Sequence, residues 1–241
     1  MINAGYAALS AQITFQKRLD TIANNVANSS TVGFRAEQVR FTTVNSSEAQ
    51  PQTSFAATGE TYLTTTSGDI VRTDNPLDVA VDGEAWIAVQ TSAGRAFTKD
   101  GRLQITATGE LRTITGHSVL DPGGSPLLLV PADGPPVIGH DGSITQAGRA
   151  VGAIGLFAIE RGARLERGPD VTITTTGEAT PLVDNPAAGL RQGYIERSNV
   201  KPVMEMSKLI FDQRMFEAVT SAIGDVEQAR QSAMRILGGS A

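Results

Sequence analysis

The sequence predicts an α+β protein. A long helix at each end of the chain contributes to one discontinuous helical domain, and a central all-β domain lies between them. Three observations predict this. Apolar residues recur at helical spacing near both termini. The middle of the 241-residue chain is built of short Thr-, Val- and Ile-rich runs, and Asp-Gly steps punctuate those runs. The boundaries follow from where the pattern changes: residues 1–35 and 198–241 for the helical domain, 36–74 for an extended linker or hairpin region, and 75–197 for the β-rich domain.

Residues 2–28 hold no proline and only one glycine, Gly5. Ile2, Tyr6, Leu9 and Ile13 form one stripe. Ala4, Ala8, Ala11, Phe15, Leu19, Ile22 and Val26 form an adjacent one, so the apolar surface is wider than a single seam. Asn28-Ser29-Ser30-Thr31 and Gly33 supply the turn chemistry that ends the helix. In the centre, strands are expected around Asp78–Val81, Trp86–Val89, Val137–Ile138, Ile154–Ile159 and Val171–Thr174. The turns between them carry Asp82-Gly83, Asp100-Gly101, Asp133-Gly134 and Asp141-Gly142. The polar stretch 45–66 is expected as an extended linker or a long hairpin. Helical spacing returns at Pro202, a favourable first-turn residue. Leu209, Phe216, Val219, Ile223, Val226, Ala233 and Leu237 then follow a heptad with Asp212 and Arg230 as polar interruptions. Gly238-Gly239 closes it. Such a stripe needs a surface to cover it. Packing on the rest of the same chain and packing on other subunits both satisfy that need.

Bulk composition narrows the function. A net charge of −5 with no basic patch argues against nucleic acid as a partner. Arg161, Arg164 and Arg167 are spread among glycines and a glutamate, as in a solvated loop. With no cysteine, disulfides, thiolate metal sites and cysteine nucleophiles are excluded. The N-terminus lacks a basic segment followed by a continuous apolar run, so no cleaved signal is expected. The longest apolar stretch, 151–159, is too short and too glycine-rich to cross a bilayer, and no direct membrane insertion is expected. Composition leaves open whether the chain stays in the cytoplasm or leaves it by a route without a cleaved signal.

Catalytic constellations are missing from the pattern. His117 and His140 sit in glycine-rich loops without a second ligand at metal spacing, and His140-Asp141 are adjacent in a turn. Asp82 and Glu84 flank Gly83 ahead of Trp86 and read as a hairpin turn before they read as an acid–base pair. Nucleotide, hydrolase and zincin motifs do not occur. The Asn28-Ser29-Ser30 and Asn45-Ser46-Ser47 sequons are at chance level. Neither enzyme activity nor a cofactor or metal is expected.

Three segments, in order along the chain, resemble the flagellar rod and hook family of axial proteins. The first is Ala23-Asn24-Asn25-Val26-Ala27-Asn28 with Thr31-Val32-Gly33-Phe34-Arg35. The second is Leu77-Asp78-Val79-Ala80-Val81-Asp82-Gly83-Glu84-Ala85-Trp86, followed by Ala96-Phe97-Thr98-Lys99-Asp100-Gly101 and Gly109-Glu110-Leu111. The third is Gly193-Tyr194-Ile195-Glu196-Arg197-Ser198-Asn199-Val200 with Met204-Glu205-Met206, Arg214 and Phe216-Glu217. Lys201 departs from the family's usual Asn or Asp before Pro202, which removes a side-chain cap, and Val26 replaces a commoner leucine.

The resemblance implies a subunit that polymerises into a hollow helical tube, the drive shaft needed for motility. Terminal helices would surround the channel, with the β-domain outside. It implies export through the flagellar secretion machine without cleavage, a place in the basal-body rod, and as partners copies of itself, neighbouring rod proteins and the export apparatus. Chain length and Trp86 point to the proximal rod type, with the distal rod type as runner-up. A secreted β-domain binding module with helical dimerisation tails is the alternative from another class. The assembly interface is expected at Leu9, Ile13, Phe15, Leu19, Ile22, Asn24, Asn25, Val26, Asn28, Gly33 and Phe34, then Asn199, Val200, Leu209, Phe216, Val219, Ile223 and Val226.

Overall fold

The computed structural model describes residues 2–45, 54–57, 60–182 and 188–238, with side chains described over somewhat shorter spans. It has helix α1 (Ile2–Ala27), a β-rich middle and helix α2 (Pro202–Gly238), the α+β class expected from the periodicities. The chain folds as two compact units. One comprises Met1–Ala27, Glu37–Tyr62 and Lys201–Ala241; the other comprises Asn28–Ala36 and Leu63–Val200.

In the helical unit, α1 and α2 pack along their lengths. The α2 positions turned inward are Glu205, Leu209, Asp212, Phe216, Val219, Ile223 and Val226, alternately four and three residues apart, and then Ala233 a full heptad on, which is the pattern of a coiled-coil seam. Strands Thr42–Asn45 and Ser54–Ala57 pair antiparallel as a hairpin, so part of the 45–66 stretch is ordered by backbone pairing. Residues 46–53 lie outside the described residues. Before the hairpin, Asn25 receives the Glu37 N–H at 2.9 Å and donates to the Glu37 carbonyl at 2.8 Å. One helix side chain thereby satisfies both backbone groups of the chain as it leaves the turn.

In the β unit, the largest sheet runs in the order Leu165–Arg167, Thr172–Thr175, Gly94–Thr98, Ala85–Thr91, Ser118–Val119, Leu111–Thr113, Leu103–Ile105; Leu156–Ile159 also pairs with Ala85–Thr91. Every described pairing is antiparallel. The strand Ala85–Thr91 is covered on both faces: Ala85, Ile87 and Val89 enter one apolar core, while Trp86 and Ala88 enter the other. The two-residue period of a strand sends alternate side chains to opposite sides, and here neither side is left to water.

Three of the four Asp-Gly turns place glycine at positive φ, at Gly83, Gly134 and Gly142. Gly101 serves differently. A Cβ there would run into the carbonyl oxygen of Val79, so this glycine permits a close backbone approach rather than a left-handed turn. The strand expected over Ile154 to Ile159 begins at Leu156, and a separate strand, Arg149–Ala153, ends just before the expected run. The Gly155 amide bonds the Leu120 carbonyl and its own carbonyl accepts from Ala88, which turns the chain between them.

Candidate assembly surface

The positions expected at the interface fall into three groups. Leu9 and Ile13 stand on the outer side of α1, 47% and 54% exposed, together with Tyr6. Phe15, Leu19, Leu209, Phe216, Val219, Ile223 and Val226 are half-buried. For the α2 members this is the seam against α1, so within one chain the heptad is already partnered. Ile22 and Asn25 are buried on α1, and Asn24 and Val26 are half-buried.

The third group, Asn28, Gly33, Phe34, Asn199 and Val200, belongs to the β unit and fixes the chain where it enters and leaves that unit. Gly33 has φ +71° and presses on the backbone between Lys99 and Asp100; its N–H bonds the Glu196 carbonyl at 2.8 Å. Phe34 is buried beneath the guanidinium of Arg167, 4.2 Å from the ring centroid, a favourable cation–π placement. The Asn199 side chain accepts the Ala36 N–H at 2.7 Å and donates to the Thr66 carbonyl at 2.8 Å.

Next to these residues, Arg35, Glu196 and Lys99 form a buried charged cluster. Arg35 donates to Glu196 Oε1 at 2.7 Å, and the Gly68 N–H reaches the same oxygen at 2.8 Å. Lys99 lies 3.8 Å from Oε2 and donates to the Gly83 carbonyl at 2.8 Å. Both cations sit over the Trp86 ring, at 5.6 and 5.5 Å. Burial lowers the Lys99 pKa to about 8, Glu196 opposes the shift, and Arg35 adds to it. Two cations share one carboxylate, so the cluster carries excess positive charge away from water.

Beyond the expected heptad, α2 carries further apolar residues on its outer side. Val203, Met204, Met206, Ile210, Phe211 and Met215 are exposed, Val203 by 78% and Phe211 by 59%. The signal was in the sequence. Residues 203–216 carry more apolar side chains than one stripe can hold, and a helix segment apolar nearly all round needs covering on more than one side.

Elsewhere the polar groups are tied up locally. Asp82 pairs with Arg191 at 2.7 Å and Glu84 with Arg161 at 3.2 Å, so the two carboxylates do not converge. His117 Nε2 lies 3.3 Å from Asp170, and the His140 carbonyl accepts the Leu190 N–H. Among the described residues no group of three or more His, Asp or Glu could hold a metal ion, and no helix is long and apolar enough to cross a membrane.

Comparison with known proteins supplies the context for this surface. The family model described as "Flagella basal body rod protein" matches residues 6–35, and "Flagellar basal body rod FlgEFG protein C-terminal" matches residues 191–236. The flagellar basal-body rod protein FlgF of Mesorhizobium japonicum is 44% identical over 97% of both chains, and that of Rhizobium meliloti 40% identical over 98% of both. The rod protein FlgG of Bacillus subtilis is 29% identical over 98% of this chain and 99% of its own. Likeness at this level, from one end to the other, means that the chain belongs to the flagellar basal-body rod proteins, on the FlgF side of that family.

Proposed function

We propose that this chain is a structural subunit of the bacterial flagellar basal-body rod, of the proximal type, and that it assembles through the helical unit. The observation that carries the proposal is end-to-end identity with FlgF rod proteins. The distal type is the weaker match, at 29%. The exposed face of α2 supports assembly as the mechanism. Val203, Met206 and Ile210 follow helical spacing on a surface that a lone subunit leaves in water, and burying each such side chain is worth on the order of 1.5–3 kcal/mol.

On this proposal the partners are copies of the chain and neighbouring rod proteins. Leu9 and Ile13 touch them directly. The seam residues Phe15, Leu19, Leu209, Phe216, Val219, Ile223 and Val226 act by presenting the helix pair as one element. Gly33, Phe34, Asn199 and Val200 act by setting the chain's path at the ends of the β unit. The role is mechanical, with no catalysis, cofactor or metal. The site of action is the basal body, reached through the flagellar export apparatus without a cleaved signal.

Met206→Asp with Ile210→Asp tests this. The purified double variant is expected to keep wild-type helicity, while a strain carrying it as the sole copy makes no complete rods and does not swim. Normal incorporation into purified basal bodies would remove this face from the interface.

A further inference from the structure

We infer that the polar residues inside the α1–α2 seam form a register lock, which holds α1 against its own α2 in one alignment and against exchange with a second copy. The inference concerns pairing within the chain and does not depend on which rod position the protein occupies.

Asp212 is fully buried on α2, and its Oδ2 lies 2.7 Å from Arg18 Nε on α1. Arg18 is in turn seated over the Phe41 ring, 5.7 Å from its centroid. Asn25, 2% exposed, donates to Glu205 Oε2 at 3.3 Å, and Glu205 also takes Lys208 at 2.6 Å. The two cross-helix pairs, Asn25 with Glu205 and Arg18 with Asp212, lie seven residues apart on each helix and run in opposite directions. Both therefore satisfy the same antiparallel alignment, one heptad apart. Further along, Gln12 meets Thr220 at 3.4 Å.

The rest of the seam cannot choose an alignment so firmly. On α1 it offers Ala8, Ala11, Phe15, Leu19 and Ile22, and on α2 it offers Leu209, Phe216, Val219, Ile223 and Val226. Sliding one helix by a heptad would again set apolar side chains of one helix against apolar side chains of the other at most of these positions. The same slide would leave Asp212 buried without a cation and Asn25 without Glu205. An unpaired buried charge is the strongest penalty available to the seam, while the paired charge is worth little against an apolar substitute. The polar groups thus discriminate between alignments more than they stabilise any one of them. Asn25 adds a second constraint, because it also holds both backbone groups of Glu37.

The chain lacks cysteine, so engineered disulfides report alignment cleanly in the full-length protein. Gln12→Cys/Thr220→Cys traps the native alignment, and Gln12→Cys/Gln213→Cys traps one shifted by a heptad. In the otherwise native chain the first pair is expected to close in the monomer with at least about a tenfold excess over the second. With Arg18→Leu/Asp212→Leu, and more fully with Asn25→Leu/Glu205→Leu added, helicity is expected to persist. The two pairs should then close at comparable yields, with disulfide-linked dimers appearing from exchange. The charge-swapped Arg18→Asp/Asp212→Arg chain is expected to return to the first pair alone. If the apolar variants keep an exclusive native disulfide, apolar packing sets the alignment and the lock is overturned. If Arg18→Leu/Asp212→Leu instead abolishes helicity, the pair is a stabilising element and the lock is equally overturned.

Discussion

The β unit and the helical unit handle apolar surface in opposite ways. Around Trp86 the central strand is covered on both faces, and Ala85, Ile87, Ala88 and Val89 are almost completely removed from solvent. On α2, Val203, Met204, Met206, Ile210, Phe211 and Met215 remain in water although they are as apolar as the core. The β unit buries its central strand completely within one chain, although Ile114, Leu128, Val130 and Val137 stay exposed elsewhere in it. The helical unit completes only the inner half of its surface. On the proposed function, the exposed side of α2 is the contact surface. Buried charge follows the same division. In the β unit Glu196 is shared by Arg35, Lys99 and the Gly68 amide. In the seam Asp212 pairs with Arg18, and burial pushes its carboxyl pKa up despite the pull of Arg18 and Lys208.

The largest effect that would sharpen this contrast is expected from Glu196→Ala. It leaves Arg35 and Lys99, 1% and 2% exposed, without their carboxylate, and removing one partner of a buried charged pair costs about 3–5 kcal/mol. Trp86 is the only tryptophan and lies in contact with both cations, so its fluorescence follows the β unit alone. Its thermal transition should fall sharply while helicity by circular dichroism is retained until higher temperature. Simultaneous loss of both signals at the lowered temperature would show that the two units fold as one.

A somewhat smaller effect is expected from pH. Burial lowers the Lys99 pKa from 10.5 to about 8. Below the lower value both folded and unfolded chains hold this proton, and the folded chain bears the cost of a poorly solvated cation. Between the two values the unfolded chain holds the proton and the folded chain has released it, so stability rises with pH. The full gain across the window is roughly 3 kcal/mol. The Trp86 transition should therefore move up between pH 8 and pH 10, and Lys99→Met should flatten that rise. An unchanged slope in the variant would assign the rise to other groups.

Much of this architecture was legible because local rules determine it. The ends of α1 and α2 follow from helical periodicity, the Asn28–Gly33 turn and Pro202. The strand through Trp86 follows from its alternation and the Asp82-Gly83 turn. What was not legible depends on pairings distant in sequence. Arg35 and Glu196 are 161 positions apart, and nothing in either local motif announces that they share a buried cluster with Lys99. Thr31 to Arg35 reads as the end of a helix, yet Val32, Phe34 and Arg35 are buried with the β unit because Gly33 lets the backbone reach Lys99 and Asp100. The outer apolar residues of α2 interleave with the heptad over residues 203–216, so a single helical period does not separate the two sets.

The smallest expected effect separates the two faces of α2 at neighbouring positions. Phe216 is half-buried in the seam, and Phe211 is 59% exposed on the outer face. Truncating the first removes contacts that the monomer makes; truncating the second removes almost none. In dilute purified protein Phe216→Ala should lower the stability of the helix pair by about 1–2 kcal/mol, less than a fully buried phenylalanine would cost. Phe211→Ala should stay within about 0.5 kcal/mol of wild type, as exposed substitutions do. Assembly should reverse the order of importance. Phe211→Ala forfeits a contact repeated in every subunit, so rods should be fewer or more fragile although the monomer is untouched. Phe216→Ala retains the outer face and should still assemble wherever the helix pair forms. Equal losses of helix stability would mean that the face carrying Phe211 is already covered in the monomer, and the division between a finished seam and an unfinished surface would fail.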